Sequence, residues 1–579
     1  MLLAWPRSDG GVRMVGKDSI ARRPLVGVAV LFVVGVAFGL ITGDGVHAAM
    51  GWMAMAAMWL VVRYLAGGVR MQGVVLWLVV LASGWLVAAL ATDRRRAEVD
   101  WLRTQQAREP KAVLYGTVSG DVDVHPLAKG GVRYQFTLRQ VSYVSLAVTN
   151  RLLSVPVRVT WYGPLAPGGG ATCVAPVSGE RWRFRGKVRV QRVGVLRKVY
   201  VRLESREKES GRVAAASLRD LGTLADRARQ VTASRLARGI EGWGAIPSLV
   251  QAMFLGTRSA IPRDLSQVFR DSGTIHIFAI SGMNVALLAV VIIALLSVAG
   301  VPRHYWCLPL TPILIFYTVV TGFSASALRA CLMAILYFGA PLLGRKPDAL
   351  STLGAAAVIA LAMNPFQLHD AGFALSFVVM GGLILLYVPL AELFRRWLRV
   401  DDVTLDAQAS AALGGELAPA LVRLRTFRVR AVRAGAELVA LSVAAWLSST
   451  PLTAWYFGRV TPASILANLP IAPAAFLTGV ASSVGLLVGL FSSWAETVFN
   501  HAAGGLTQMM IWCARATVAI PGGAGKIPYP PWWLVGCWYA ALLLLAAWLG
   551  RLTRQSPATG DAWLRDSARQ RTSDPPGGG

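Results

Sequence analysis

Apolar positions along this chain gather into long runs. Leu25–Leu40, Val74–Ala91, Ile277–Val298 and Trp533–Leu549 are almost unbroken, each close to the roughly 20 residues a helix needs to cross a hydrocarbon core. So many such runs would require an implausibly large soluble core to bury them. Reading the rest of the pattern the same way predicts spans near 24–42, 50–66 and 71–91. A second group follows near 274–298, 305–320, 326–343, 349–363, 371–392, 435–449, 464–491, 499–520 and 532–550. The run at 464–491 is expected to break at Pro470 and Pro473. Between the groups the period changes. Lys111–Ser119, Arg133–Gln140, Ser154–Tyr162 and Trp182–Val193 are short segments rich in β-branched and aromatic residues, separated by Gly, Pro and Asp. Alternation of the kind seen in Arg181-Trp-Arg-Phe-Arg-Gly-Lys-Val-Arg-Val suits half-buried strands. Residues 206–240 read as helical and polar. The expected architecture is a polytopic α-helical membrane protein of about twelve transmembrane helices with an inserted small β-barrel. Its domains are N-terminal helices at 1–92, a β-rich region with a helical linker at 93–240, a membrane domain at 241–552 and a disordered tail at 553–579.

Charge refines the topology. The chain carries 58 Lys and Arg against 30 Asp and Glu, a formal net charge of +28. In a soluble protein that excess would point to nucleic acid; between spans it also fixes orientation, because Lys and Arg collect in short cytoplasmic loops. Arg22, Arg23, Arg63 and Arg70 lie on one side if the N-terminus is cytoplasmic, which places the β domain outside. Twelve spans return the basic tail to the cytoplasm, and the 393–434 segment, with eight arginines, falls on that side too. The first run follows Arg22–Arg23, lacks a small-residue cleavage site and is followed by further spans, so it reads as a retained helix. Five scattered cysteines and six isolated histidines offer no disulfide framework and no metal cluster. Pro167-Gly-Gly-Gly lacks the Lys and Ser/Thr of a phosphate-binding loop, so the sequence supplies no nucleotide motor, and no cofactor is expected.

Three polar clusters interrupt the second group. In Phe269-Arg-Asp-Ser-Gly-Thr-Ile-His-Ile-Phe-Ala-Ile-Ser-Gly-Met-Asn-Val, an apolar stretch carries His276, Ser281, Gly282 and Asn284. Such groups are costly in hydrocarbon unless protein or water satisfies them. They fit either interhelical packing or the lining of a pathway; a hydrolase is disfavoured because Ser281 lacks a nucleophile elbow. In Gly322-Phe-Ser-Ala-Ser-Ala-Leu-Arg-Ala-Cys-Leu-Met, Arg329 follows Ser324 and Ser326 near a helix start. It must snorkel, pair, or face inward where it would attract a phosphate. In Asn364-Pro-Phe-Gln-Leu-His-Asp-Ala-Gly-Phe-Ala-Leu-Ser-Phe, Asp370 reads as a helix cap or a partner of Arg329, and Ser376 as polar lining. Ser464 and Asn468 stand in the same way beside Pro470.

These clusters, in this order, closely resemble the ComEC/Rec2 competence family. Phe254-Leu-Gly-Thr-Arg with the core His276-Ile-Phe-Ala-Ile-Ser-Gly is similar to the family's most diagnostic segment. Gly322–Met333, Gly344-Arg-Lys-Pro-Asp348, Asn364–Phe377 and Tyr456-Phe-Gly through Ser464, Asn468 and Pro473 resemble its later motifs. The specific likeness covers roughly 245–490; residues 24–205 resemble the family's N-terminal membrane and OB-like region more loosely. The resemblance implies an inner-membrane channel that brings one DNA strand into the cytoplasm in natural transformation, with His276, Ser281, Gly282, Asn284, Arg329, Asp370, Ser376 and Asn468 at or around it. It also implies an OB-like extracytoplasmic domain, cytoplasmic termini, a DNA receptor outside, a helicase motor inside and a separate nuclease. No H-x-H-x-D-H cluster is present, so the metallo-β-lactamase-like nuclease of many members is not carried over and no enzymatic activity is expected. The competing readings are a small-molecule or ion-coupled transporter, and a membrane-anchored scaffold whose β domain binds DNA or protein.

Overall fold

The computed structural model describes residues 24–42, 69–108, 111–126, 132–144, 151–153, 157–163, 176, 180–193, 198–205, 211–214, 221–256, 261–278, 282–322, 325–398 and 418–554. The expected span near 50–66, Ser281, Ser324, Cys173 and all but the start of the expected tail lie outside them. The described chain divides into two units.

The first unit comprises Leu25–Phe377 and Pro470–Gly523. It opens with α1 (Pro24–Thr42) and α2 (Val69–Arg108), whose backbones meet at glycines. A Cβ on Gly84 would come 3.0 Å from the Val36 nitrogen. Small residues allow this approach, and close packing is what associates helices in lipid, where burying Leu against Leu gains nothing over burying it in acyl chains. The 40 residues of α2 make it about 60 Å long, twice the hydrocarbon thickness. The expected boundary at residue 92 is therefore no break in structure: α2 continues, charged, to the barrel. There Leu102 enters the barrel core, and Trp101 meets Tyr143 edge-on with ring centroids 5.2 Å apart.

The barrel uses β1 (Lys111–Pro126), β2 (Val132–Val144), β4 (Val157–Gly163), β5 (Arg181–Val193) and β6 (Lys198–Ser205). Their circuit runs β1-β2-β4-β6-β5 and closes back on β1. All neighbours are antiparallel except β4 and β6. A closed five-stranded Greek-key barrel of this kind is the architecture shared by OB folds. Closure removes the exposed edges that an open sheet of this size would present. β3 (Arg151–Leu153) and β7 (Gly211–Ala214) are appended to it. The alternation read from the sequence is real: Trp182, Phe184 and Val188 fill the core while Arg181, Arg185, Lys187 and Arg189 are exposed. The stretch expected to be helical from 206 first adds β7; helix α3 begins only at Leu221 and runs to Ala237.

The unit continues through α4 (Ile246–Leu255), α5 (Arg263–Asp271), a 3₁₀ turn at Ile275–Phe278, α6 (Gly282–Val298), α7 (Cys307–Val320), α8 (Ala325–Gly339), α9 (Ala349–Met363) and the start of α10 (Ala371–Trp397). Later come most of α12 (Ser464–Val488) and all of α13 (Ser493–Val518). Two expectations need correction. The span at 274–298 is not one helix, because the short 3₁₀ turn precedes α6; Gly273, with φ +74°, allows the chain to reverse where Ser272 and Thr274 satisfy each other at 2.7 Å. The span at 464–491 does not break, since α12 carries Pro470 and Pro473 inside a continuous helix. In an apolar surrounding, unwinding would expose more backbone groups than the prolines free.

The second unit comprises Val378–Leu469 and the described residues from Ala524 onward. It holds most of α10, α11 (Ala418–Phe457), the paired β8 (Arg459–Val460) and β9 (Gly525–Lys526), and α14 (Trp532–Arg554). The expected loop at 393–434 is thus helical from 418. Leu386 and Leu390 pack with Ala440, Ala444 and Leu549. Pro451 lies inside α11 and removes the N–H that would serve Leu447. Trp538 Nε1 fills the gap by donating to the Leu447 carbonyl at 3.1 Å, and the Tyr539 hydroxyl donates to the next carbonyl, Ser448, at 2.9 Å.

Six described helical stretches are long and apolar enough to cross a membrane: Leu25–Thr42, Ser326–Leu343, Ala371–Trp397, Phe427–Phe457, Ser464–Val488 and Trp532–Leu552. Ile246–Leu255, Asn284–Val298 and Ala349–Met363 are shorter apolar helices. The chain is a helical membrane protein with a β-barrel domain.

Candidate functional site

One turn into α8, Arg329 points at the start of α6 and at α10. It is 6% exposed. Its Nε donates to Ser376 Oγ at 2.6 Å, its Nη2 reaches Ser326 Oγ at 3.5 Å, and its Nη1 lies 3.8 Å from Met333 Sδ. Ser376 and Ser326 are themselves 3.4 Å apart. Gly282 faces the guanidinium closely enough that a Cβ there would sit 2.9 Å from Nη2. The structure thus brings together Gly282, Arg329 and Ser376 from all three polar clusters, with Ser326 between them. No carboxylate forms an ion pair with Arg329 among the described residues. A buried cation ordinarily needs one; here two hydroxyls and a thioether replace it, and the N-terminus of α6, itself the positive end of a helix dipole, lies alongside.

The other predicted residues have separate settings. Asn284 is buried and donates through Nδ2 to the Met253 carbonyl, while the Tyr317 hydroxyl donates to the neighbouring Phe254 carbonyl at 2.8 Å. Both satisfy carbonyls that the end of α4 leaves without intrahelical partners. Asp370 accepts from the Gly372 N–H at 2.8 Å, so it caps the start of α10 and makes no ion pair with Arg329. His276 is exposed, with Nδ1 3.2 Å from the Gly273 carbonyl. Asn468 lies in the second unit, where its Oδ1 is buried with no hydrogen-bond partner among the described residues. The Asn-Pro-Phe motif has a further contact: the Arg95 guanidinium of α2 stands 4.5 Å over the Phe366 ring. That puts this turn beside the part of α2 that leads to the barrel.

Sequence reasoning missed a second polar cluster. Glu496, fully buried at the start of α13, accepts from Arg235 Nε and Arg238 Nη1, each at 2.7 Å. Arg235 also donates to the Leu486 carbonyl at 2.9 Å, and Asn500 donates to the carbonyls of Arg235 and Arg238. The signal was present: Glu496 is the only acidic residue between Glu437 and Asp561.

The family model for the competence protein matches residues 253–552, a stretch that contains the Arg329 cluster and more than half of the chain. The chain belongs to the competence protein family. Among similar proteins are ComE operon protein 3 of Bacillus subtilis, 25% identical over 255 residues, covering 44% of this chain and 28% of that one. Competence protein ComA of Neisseria gonorrhoeae is 26% identical over 305 residues, covering 50% of this chain and 40% of that one. The uncharacterized protein YcaI of Escherichia coli is 26% identical over 152 residues, covering 25% of this chain and 20% of that one. The matches therefore span less than half the length of these relatives. No solved structure matches the chain.

Proposed function

We propose that this protein takes part in DNA uptake during natural transformation, carrying a single strand across the cytoplasmic membrane. The observation that carries this reading is the buried Arg329, held by hydroxyls rather than by a carboxylate, inside the region matched to the competence family. A permanent carboxylate partner would compete with a passing phosphate; serines orient the guanidinium and leave its charge available. In this reading His276, Gly282, Asn284, Asp370 and Ser376 line or brace the passage. The barrel lies outside, the termini inside. The contact of Arg95 with Phe366 supports that topology, because it sets residues 364–370 on the barrel's side, as the count of spans requires.

The role is transport, with no catalytic step assigned to the chain. In this reading a DNA receptor outside, a helicase inside and a separate nuclease are the candidate partners. The competing small-molecule transporter would need a coupling group, and Asp370 is already engaged as a cap. The scaffold alternative predicts that replacing the intramembrane polar residues leaves function intact. The test is to delete the gene in a transformable source organism and measure entry of labelled DNA into the cytoplasm. Loss of entry, restored by the gene in trans, is expected; uptake equal to the parent strain would refute the proposal.

A further inference from the structure

Where α10 ends and the apolar part of α11 begins, one carboxylate holds two guanidiniums. Glu437, 8% exposed, accepts from Arg395 on α10 and, at 3.3 Å, from Arg433 one turn earlier on its own helix. Arg395 also stands 3.8 Å from Glu392, which takes Arg396 at 3.2 Å. With Arg428 and Arg430, the described residues here set five arginines against two glutamates. The excess is positive, and the bridges to Glu437 hold Arg395 and Arg433 in place. Arg395 Nε is buried without a hydrogen-bond partner, so the fork nearest Glu437 keeps an unused donor.

The apolar surroundings indicate what kind of anion fits. Trp397 is 76% exposed and Phe427 72% exposed, each within a few residues of the arginines. Phe427, Arg430, Arg433 and Glu437 recur at spacings of three or four, so they form one stripe along α11. Above them on the same two helices lies the apolar core of Leu390, Ala391 and Ala440. Aromatic side chains and arginines at the end of an apolar span mark the level of lipid headgroups, and basic pockets between spanning helices bind anionic headgroups. Arg395 is only 25% exposed and Arg433 45%, so this is a partly enclosed site rather than a free row of charges.

We propose that the ends of α10 and α11 form a binding site for the phosphate headgroup of an anionic phospholipid. Arg395, Arg430 and Arg433 bind the phosphate, and Glu437 holds Arg395 and Arg433 in register. Single-stranded nucleic acid offers the same phosphate chemistry, but Arg395 and Arg433 sit where two spans leave their shared apolar core, the level at which a lipid headgroup is held. The site is independent of the DNA-uptake reading.

The full-length protein is placed in nanodiscs of phosphatidylcholine alone or with phosphatidylglycerol, and retained lipid is measured by native mass spectrometry after release into mild detergent. Wild type is expected to retain phosphatidylglycerol over phosphatidylcholine. Arg430→Gln, which leaves the Glu437 bridge intact, is expected to weaken that preference about fivefold, and Arg430→Gln with Arg433→Gln correspondingly more. Thermal unfolding of each variant in phosphatidylcholine alone verifies the fold. Equal retention of the two lipids by wild type overturns the proposal. So does an unchanged preference in the folded variants, or displacement of phosphatidylglycerol by a short single-stranded oligonucleotide.

Discussion

Glu496→Gln should loosen the attachment of the linker helix α3 to the α12–α13 pair. The substitution preserves volume but replaces a carboxylate that receives two guanidinium bonds, both at 2.7 Å. Removing one partner of a buried ion pair costs about 3–5 kcal/mol when the remaining charge stays buried. Here the remaining charges are partly wet: Arg235 is 19% exposed and Arg238 48%. Water recovers some of the loss, so the expected cost is about 2–3 kcal/mol, the scale of a lost charge-assisted bond left unmade. The two arginines should differ. Arg238→Ala removes a half-exposed partner and should cost about 1 kcal/mol or less. Arg235→Ala also strips the bond to the Leu486 carbonyl, at 2.9 Å, and should cost roughly twice as much or more. Equilibrium unfolding in mixed micelles, titrated with a denaturing detergent, gives the free energies. Limited proteolysis at 206–240 then shows whether the linker has become accessible. A Glu496→Gln protein as stable as wild type, or Arg238→Ala as damaging as Arg235→Ala, would refute the reasoning.

Arg329→Gln keeps hydrogen-bonding capacity and loses the charge; at matched protein abundance, labelled-DNA entry should fall roughly tenfold, as loss of one charge-assisted phosphate bond implies, and normal entry would remove Arg329 from the passage. Trp538→Phe leaves the Leu447 carbonyl without the donor that Pro451 cannot supply, so unfolding in mixed micelles should show a loss of about 1–2 kcal/mol. A Pro451→Ala partner mutation should recover part of it by restoring the backbone N–H. The purified chain should not cleave labelled single- or double-stranded DNA with magnesium, manganese or zinc; cleavage that persists through repurification would contradict a transport-only role.

The sequence made the segment types legible because lipid imposes a long apolar period and a half-buried barrel imposes a period of two. Trp182 and Phe184 alternate with Arg181, Arg183 and Arg185 as a barrel wall demands. Breaks and continuations were harder. Pro470 and Pro473 suggested a broken helix, yet α12 runs through them, because proline weakens a helix without specifying what replaces it. The His276 segment suggested one span, yet the 3₁₀ turn interrupts it at residues whose polar groups satisfy each other locally. Within the candidate site, the residue types were readable and their pairings were not. Asp370 and Arg329 were equally open to an ion pair or to separate partners, and only the placement of α8 against α10 decides for Ser376.

The absence of a carboxylate at Arg329 among the described residues is hard to explain as packing alone. A serine pair supplies oriented oxygens but no charge, and leaving a guanidinium without a counter-ion in a low-dielectric interior costs several kcal/mol. The fold has the means to avoid that cost elsewhere: Glu496 is fully buried between two arginines, and Glu437 lies between two more. At Arg329 it does the reverse. Gly282 brings the N-terminus of α6 against the guanidinium, where a Cβ would crowd Nη2 at 2.9 Å, so two positive groups converge and nothing negative in the described chain separates them. If the chain carries a strand as proposed, a passing phosphate would supply the missing charge transiently, while the hydroxyls of Ser326 and Ser376 hold the guanidinium in position.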